Sequence, residues 1–503
     1  AAAIQAVQPK SNSEYEVIVY QKISIGYGGT WSNNPWLQEM PDPITKATWD
    51  NYICMSPNTA KHKFNAELNG LNQVDANKRV LKVTIANGHS IELPVVVIPG
   101  MHDQVIAIAT GFGRTEKVGM ASANRGKNAF ELVDYKGETL SYYNDVTIEE
   151  TNNFYPIAIT QTHMSYEDRP IVREYTLEEF KTNPRALDDS RKEELGAYTS
   201  LQWEKNENDD PDAFFDLDGF KEHGTMYPVH EKHGIHWGMS IDLNTCTGCG
   251  ACTVACQAEN NVSVVGKDEV LLNHEMAWIR VDRYFSGNPE DADSIQAVFQ
   301  PMMCQHCDNA PCENVCPVSA TNHSQEGLNQ MIYNRCIGTK YCANNCPYKV
   351  RRFNWFDYNG ADAFADNLYK DGVRDDINDD LTRMVLNPDV TVRSRGVMEK
   401  CTFCVQRLQE SKLAAKQAGE PLQDGAAKTA CQTACPTHAI TFGNANDKNS
   451  AIHKLRKEEY RERIYYVLEH LHVLPNVNYL SKIRNTNSIV AGTEEDGLYH
   501  QHI

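Results

Sequence analysis

The sequence predicts an α+β protein in which a β-rich N-terminal domain precedes a cysteine-rich domain. Alternating apolar residues and glycine turns fill the first 150 of its 503 residues, and fifteen of its sixteen cysteines lie between Cys246 and Cys435. After the cysteines, the segment from Ala451 to His472 shows helical periodicity. A chain of this length is sufficient for about three domains.

The composition excludes several classes of protein. Hydrophobic residues make up 41% and charged residues 23%, as in soluble globular proteins. No apolar run approaches the roughly 20 residues of a membrane span, so we expect no crossing by this chain itself. A net charge of −19 argues against a nucleic-acid partner. The chain begins with Ala1 and not with Met, so the question of a signal peptide stays open.

The N-terminal domain, residues 1–150, is predicted to be barrel-like. The alternating segment from Arg79 ends at Asn87-Gly88, a dipeptide that favours a tight hairpin turn. Several short strand candidates separated by glycine and asparagine are typical of a closed sheet. The return strand and the apolar runs after it are 89–93, 95–98 and 105–109.

Three further regions follow. Residues 151–235 are polar and acidic and predict a linker over the surface. Residues 236–445 hold the cysteine motifs, interrupted by an Asp- and Asn-rich insertion from Tyr358 to Asn387. In the last region, residues 446–503, the pattern from Ala451 to His472 predicts a helix, and an extended tail follows it.

The fifteen clustered cysteines form four groups of similar spacing. Thr339 stands where the third group lacks a cysteine, and proline follows the last cysteine of three groups. The groups are Cys246-x2-Cys249-x2-Cys252-x3-Cys256; Cys304-x2-Cys307-x4-Cys312-x3-Cys316; Cys336-x2-Thr339-x2-Cys342-x3-Cys346; and Cys401-x2-Cys404 with Cys431-x3-Cys435.

This spacing favours iron–sulfur clusters. Closely spaced thiolates wrap one face of a cluster, and in two-cluster ferredoxins the fourth cysteine of a run binds the other cluster. Four groups therefore predict two pairs of groups, and within each pair every group contributes its last cysteine to the cluster of the other. This is a double ferredoxin-like domain with four clusters. A structural zinc site remains an alternative for Cys401, Cys404, Cys431 and Cys435 taken alone. Cys54, far from the others, is interpreted as a small buried apolar residue.

The cysteine motifs resemble the four-cluster iron–sulfur subunits that partner molybdopterin oxidoreductases. The closest correspondence is in Cys304-Gln-His-Cys307-x4-Cys312-x3-Cys316-Pro317 and Cys342-x3-Cys346-Pro347-Tyr348. The segments Ala109-Thr-Gly-Phe-Gly-Arg-Thr and Arg125-Gly-Lys-Asn-Ala-Phe resemble the terminal barrel domain of those oxidoreductases. The fusion of both parts, followed by the segment 470–485, is similar to the iron–sulfur B subunit of bacterial alternative complex III.

The resemblance implies a ligation scheme with three 4Fe–4S clusters and one 3Fe–4S cluster. A cube with hydroxyl or water on its fourth iron remains an alternative at the last site. We name the four sets as follows: the first site is Cys246, Cys249, Cys252 and Cys435; the second is Cys256, Cys401, Cys404 and Cys431; the third is Cys304, Cys307, Cys312 and Cys346; the fourth is Cys316, Cys336 and Cys342, where Thr339 supplies no thiolate.

The resemblance also implies a function without substrate chemistry in this chain. We expect an electron-transfer subunit of a respiratory, quinol-oxidising complex that passes electrons towards a cytochrome c or a terminal oxidase. Its expected partners are an integral-membrane quinol-binding subunit, a multihaem cytochrome c and other subunits of the complex. The expected location is the periplasmic face of a bacterial inner membrane, with peripheral attachment. No molybdopterin is expected, because only the terminal domain of such enzymes is matched.

Two other classes of function stay open. One is the electron-transfer subunit of a molybdopterin-dependent reductase or dehydrogenase, which would co-purify with molybdenum. The other is a structural scaffold, which would hold zinc or clusters that never change oxidation state.

Five polar residues beside the cysteines have two interpretations each. Lys349, Arg351 and Arg352 would raise the potential of a nearby cluster, or they form a solvated patch or structural ion pairs. His306 and His438 would donate hydrogen bonds to cluster sulfurs, or they serve packing and capping.

Overall fold

The computed structural model describes most of the chain in nine stretches. Within these residues, no helix is long and apolar enough to cross a membrane. The described residues are 14–64, 79–136, 139–166, 169–199, 220–221, 232–288, 291–355, 358 and 384–485.

The N-terminal domain contains a closed six-stranded barrel. The strand at Tyr15–Tyr20 closes it by pairing in parallel with one neighbour and antiparallel with the last strand. Side chains alternate along each strand, so that every second residue enters the apolar interior. In order around the barrel the strands are Tyr15–Tyr20, Val105–Ala109, Ile53–Met55, Ser90–Val97, Arg79–Ile85 and Tyr143–Phe154.

The predicted hairpin is present, and its return strand is longer than expected. Arg79–Ile85 pairs antiparallel with Ser90–Val97, and Gly88 turns with a φ of 88°. The separate apolar run at 95–98 instead continues this strand, because Pro94 sits opposite Val80 without breaking the ladder.

Short elements connect the barrel to the rest of the chain. Ala47–Thr48 pairs with Ala158–Ile159, and Asp134–Lys136 pairs with Thr139–Ser141. In the predicted linker, a capping box between Thr176 and Glu179 begins one helix. The helices of this half are Pro35–Glu39, Pro57–Phe64, Leu177–Thr182 and Ala186–Thr199, with a 3-10 turn at Ala129–Leu132.

The second half is a mixed α/β, ferredoxin-like domain of short elements. Its four-stranded sheet has the order Ile440–Asn444, Trp237–Asp242, Val477–Leu480, Ile464–Tyr465. Two-stranded ribbons are Arg280–Ser286 with Gln296–Met302, Thr321–His323 with Asn329–Met331, Arg352–Phe353 with Met398–Glu399, and Glu174–Thr176 with Lys482–Arg484. The helices are Ala251–Glu259, Lys267–Leu271, Pro311–Asn314, Tyr341–Asn344, Val405–Ala418, Ala430–Ala434 and Ala451–Lys454.

The single helix predicted from Ala451 to His472 is wrong. The α-helix ends at Lys454, a π turn reaches Glu459, and 3-10 turns cover 461–463 and 469–471. Between these turns, Ile464–Tyr465 pairs with the strand Val477–Leu480 and is buried. Sheet pairing therefore overrides the local helical pattern. The tail beyond 485 and most of the predicted insertion, 359–383, lie outside the described residues.

Buried polar contacts join the barrel to the cysteine-rich domain. The Lys267 ammonium lies 2.7 Å from the Asp50 carboxylate, and the two side chains are 6% and 0% exposed. Glu39 accepts hydrogen bonds from the backbone N–H groups of Val265 and Gly266. Because buried polar groups are costly to leave without partners, these contacts favour this docking of the two halves.

Candidate metal centres

The first site unites three cysteines of the first group with the last cysteine of the fourth. Burial raises the pKa of the Cys252 thiol. The thiols that raise it further are those of Cys431, Cys246, Cys249 and Cys435. The four predicted residues are therefore neighbours, with Cys431 of the second site beside them.

The second site surrounds a small cavity. Burial raises the pKa of the Cys256 thiol, and the thiols of Cys401, Cys404 and Cys431 raise it further. Because these four belong to two different groups, the fold brings together cysteines that are far apart in the sequence. The cavity is lined by the same four cysteines with Asn260, Ile279, Met303, Phe403 and Thr429.

Hydrogen-bond donors surround the sulfurs of the second site. Asn260 Nδ2 lies 3.5 Å from Cys256 Sγ and 3.8 Å from Cys404 Sγ. The backbone N–H of Ala430 donates to Cys404 Sγ over 3.4 Å. Donors of this kind favour the thiolate, the form of cysteine that binds metal.

The third site gathers the second group and the last cysteine of the third. Burial raises the pKa of the Cys307 thiol, and the thiols of Cys304, Cys346 and Cys312 raise it further. Cys401 of the second site also interacts electrostatically with Cys304. The second and third sites are thus adjacent across the two halves of the domain.

The fourth site holds three cysteines. Burial raises the pKa of Cys342, and the thiols of Cys336 and Cys316 contribute in the same direction. Burial also acts on Cys316, but backbone N–H donors, among them Ala320 at 3.2 Å, outweigh it and lower the pKa. Thr339 is exposed in this loop.

The cysteine loops repeat one backbone geometry. The residue two after the first cysteine of each group has a positive φ, and so does the residue three after each Cys-Pro cysteine. A positive φ is costly for residues other than glycine, so it persists where surrounding contacts impose it. The first set is Gly248, His306, Gly338 and Phe403; the second is Ser319, Lys349 and His438.

The three predicted cations after Cys346 differ in their surroundings. Lys349 is exposed, and its ammonium donates to the Asn344 carbonyl. Arg352 pairs with Glu275 over 2.8 Å, as a structural ion pair. Arg351 is 6% exposed, and its Nη2 donates to Cys312 Sγ over 3.1 Å. The three cations therefore have different environments: Lys349 is solvated, Arg352 is in an ion pair, and Arg351 donates to a cysteine sulfur.

The two predicted histidines also differ. His438 is exposed. His306 is buried and stacks on Phe403 at 3.8 Å between ring centroids. Its Nδ1 accepts the N–H of Asn329, so its hydrogen is on Nε2, which has no hydrogen-bond partner among the described residues. An orphaned buried donor beside two cysteine loops fits an acceptor such as a cluster sulfide.

The arrangement suits clusters better than single ions. Within the described residues, no three or more His, Cys, Asp or Glu side chains are grouped so that they could hold one metal ion. A cluster of several irons and sulfides holds its thiolates further apart than one ion does. The buried thiols, their donors and the cysteine-lined cavity fit such a group.

Three residues outside the four predicted sets also have defined surroundings. Cys54 is 3% exposed in a barrel strand, where it packs among apolar residues. Lys400 and Asn329 approach the third site although the sequence interpretation did not include them. Lys400 directly precedes Cys401 and could have been noticed, whereas Asn329 stands outside every motif.

Comparison with known proteins defines the class. Two family models described as a 4Fe-4S dicluster domain match residues 245–320 and 295–361. Together with the cysteine geometry, these matches define an iron–sulfur protein that binds 4Fe–4S clusters.

Curated relatives give the family. The iron–sulfur cluster-binding subunit of menaquinone reductase from Nitratidesulfovibrio vulgaris is 41% identical over 49% of this chain and 89% of its own length. The putative iron–sulfur subunit of dimethyl sulfoxide reductase from Halobacterium salinarum is 32% identical over 44% of this chain and 70% of its own length. Iron–sulfur subunit 1 of the Hdr-like menaquinol oxidoreductase from Archaeoglobus fulgidus is 32% identical over 46% of this chain and 78% of its own length.

The chain therefore belongs to the family of iron–sulfur cluster-binding subunits of molybdopterin oxidoreductase-type complexes. As a member of it, the protein is an electron-transfer subunit of a quinone-linked reductase complex.

Proposed function

We propose that this chain relays electrons within a quinol-oxidising respiratory complex at the periplasmic face of a bacterial inner membrane, towards a cytochrome c or a terminal oxidase. The specific candidate is the iron–sulfur subunit of alternative complex III, with a membrane quinol-binding subunit and a multihaem cytochrome c as partners. The observation that supports a relay most strongly is the gathering of fifteen cysteines into three sets of four and one set of three.

The proposed ligands are the four sites as defined above. Bound iron–sulfur clusters supply the one-electron chemistry, and the protein tunes it through burial, charge and hydrogen bonds. The chain's own contribution is to exclude water from most of the sulfurs, to donate N–H groups to them and to keep adjacent sites close. Cys252 belongs to the first site, and Cys256, one helical turn later, belongs to the second. The helix therefore holds these two sites side by side.

The three-iron assignment of the fourth site has a direct test in Thr339→Cys. The substitution supplies the missing thiolate, so the near-isotropic signal of the oxidised three-iron cluster should disappear and iron should rise by about one atom per chain. Thr339→Ser is the matched control and should leave both unchanged. A wild-type protein without that signal would instead support a cube with hydroxyl or water on the fourth iron.

The quinol reaction is tested on the intact complex. Anaerobic addition of a menaquinol analogue should reduce the clusters. Electron paramagnetic resonance at low temperature monitors this reduction. Clusters that are reduced by dithionite but never by quinol would contradict the proposal.

A second function is favoured by the relatives themselves. The putative iron–sulfur subunit of dimethyl sulfoxide reductase is among them, so this chain is also a candidate electron-transfer subunit of a molybdopterin-dependent reductase or dehydrogenase. Metal analysis of the purified complex separates the two: molybdenum supports this alternative, and haem without molybdenum supports the quinol-oxidising complex.

A further inference from the structure

Two buried cations converge on Asn329 beside the third site. Arg351 Nη2 donates to Asn329 Oδ1 over 2.7 Å, and the Lys400 ammonium donates to the backbone carbonyl of the same residue. The exposed fractions of Arg351 and Lys400 are 6% and 0%. Asn329 Nδ2 donates to Glu313 Oε1 over 2.6 Å and lies 3.7 Å from Cys312 Sγ. Both charges are thus fixed within one hydrogen-bonded cluster at a predicted ligand.

Neither cation has a carboxylate partner among the described residues. Arg351 donates to Thr321, Met331, Asn329 and Cys312, and Lys400 donates to two backbone carbonyls. Arg393, a buried cation of the same domain, pairs by contrast with Glu399 at 2.9 Å. Because an uncompensated buried charge is strongly unfavourable, Arg351 and Lys400 require a different counter-charge.

The cysteine sulfurs provide that counter-charge. Arg351 contacts Cys312 Sγ of the third site at 3.1 Å, and its charge also acts on Cys342 of the fourth. Burial lowers the pKa of Arg351, yet four thiols from these two sites reverse the effect and raise it. The charge of Lys400 acts on Cys312 as well.

We propose that Arg351 and Lys400 raise the reduction potential of the third-site cluster, and Arg351 that of the fourth as well. The inference rests on the proposed relay. A cluster that gains one electron from its neighbour gains one negative charge, and a fixed cation nearby stabilises this reduced form. The effect is strong because the groups are buried and weakly screened.

The second site offers the contrast. Glu259 and Arg407 form an ion pair of 2.6 Å beside Cys404, so their fields oppose each other. Lys400 donates to the backbone carbonyl of Cys401, but among the described contacts no cation donates to a sulfur of this site. The potential of the third-site cluster is therefore expected to lie above that of the second.

The test is a redox titration of the intact complex, monitored by electron paramagnetic resonance. Arg351→Gln and Lys400→Gln should each lower the equilibrium constant for reduction of the third-site cluster at least about tenfold, which is 59 mV for a one-electron couple. Lys349→Gln, which removes an exposed charge two residues away, is the matched control and should change it less than about twofold. Arg351→Lys, which keeps the charge, should restore most of the shift.

The outcomes separate this inference from the proposed function. If quinol fails to reduce the wild-type clusters, the relay fails. If the wild-type clusters are reduced but both Gln variants titrate like Lys349→Gln, the inference is overturned. Should Arg351→Gln lose iron, Lys400→Gln decides, since Lys400 donates to no sulfur in the described contacts. The inference would also be overturned if, in the wild type, the reduction potential of the second-site cluster lay above that of the third-site cluster.

Discussion

The barrel and the cysteine-rich domain are stabilised in different ways. The barrel interior is mainly apolar, with Val17, Leu81 and Ile106 fully buried between registered strands. The core of the other domain mixes apolar residues with buried cysteines from all four groups. Most of its helices have four or five residues, and most of its strands form two-stranded ribbons. Elements so short gain little from their own hydrogen bonds. The comparison indicates that the barrel folds by burial, and that the second domain depends on what its cysteines bind.

Removal of iron is expected to give the largest effect. Chelation under reducing conditions should unfold the cysteine-rich domain, because metal-binding free energy is folding free energy at such sites. The barrel should survive. Hydrogen exchange of the full chain measures this: amides of 79–85 and 90–97 should stay protected while those of 251–259 and 430–434 exchange rapidly. Equal loss of protection in both regions would remove the distinction.

Two buried cysteines, one in each region, should respond differently to substitution by serine. Cys312→Ser should lose the third-site cluster, about four irons per chain, because serine seldom replaces a thiolate ligand. Cys54→Ser, in the barrel, should keep every iron and cost about 1–3 kcal/mol of stability for a buried hydroxyl. Iron analysis and thermal unfolding provide the two readouts. Iron loss from Cys54→Ser would show that the barrel cysteine is more than a packing residue.

The contact between the two regions is tested at Lys267. Lys267→Met removes the ammonium that neutralises the buried carboxylate of Asp50, which should cost about 3–5 kcal/mol. Lys82→Met removes a cation from an exposed pair with Glu149 in the barrel and should cost less than about 1 kcal/mol. Chemical denaturation of both variants measures the difference. Similar costs would mean that the buried pair contributes little to docking.

A smaller, pH-dependent effect is expected from Glu39. Burial raises its pKa to about 7 from 4.5. The folded protein therefore holds a proton between these pH values that the unfolded chain has released, so this contribution to stability falls as pH rises through that window. Glu39→Gln should flatten the profile by up to about 3 kcal/mol, and Glu92→Gln, exposed in the barrel, should follow the wild type. An unchanged slope in Glu39→Gln would contradict this origin.

The sequence predicted the features that depend on local spacing. The hairpin at Asn87-Gly88 follows from turn chemistry and is present in the structure. The four cysteine groups follow from motif spacing, and their loops repeat one backbone geometry. Features that depend on distant contacts were missed or wrong. Ile464 and Tyr465 have helical periodicity yet form a strand, because Val477–Leu480 offers sheet pairing. Asn329 approaches Cys312 only through the fold, so no spacing rule could have identified it.

The central claim is that four iron–sulfur clusters occupy the four cysteine sites. Electron paramagnetic resonance of the purified, air-oxidised protein at low temperature, with iron and zinc analysis of the same sample, tests it most directly. We expect a near-isotropic signal just above a g value of about 2.0 and about fifteen irons per chain. Zinc in place of iron would contradict the claim and would leave a structural scaffold instead of a relay.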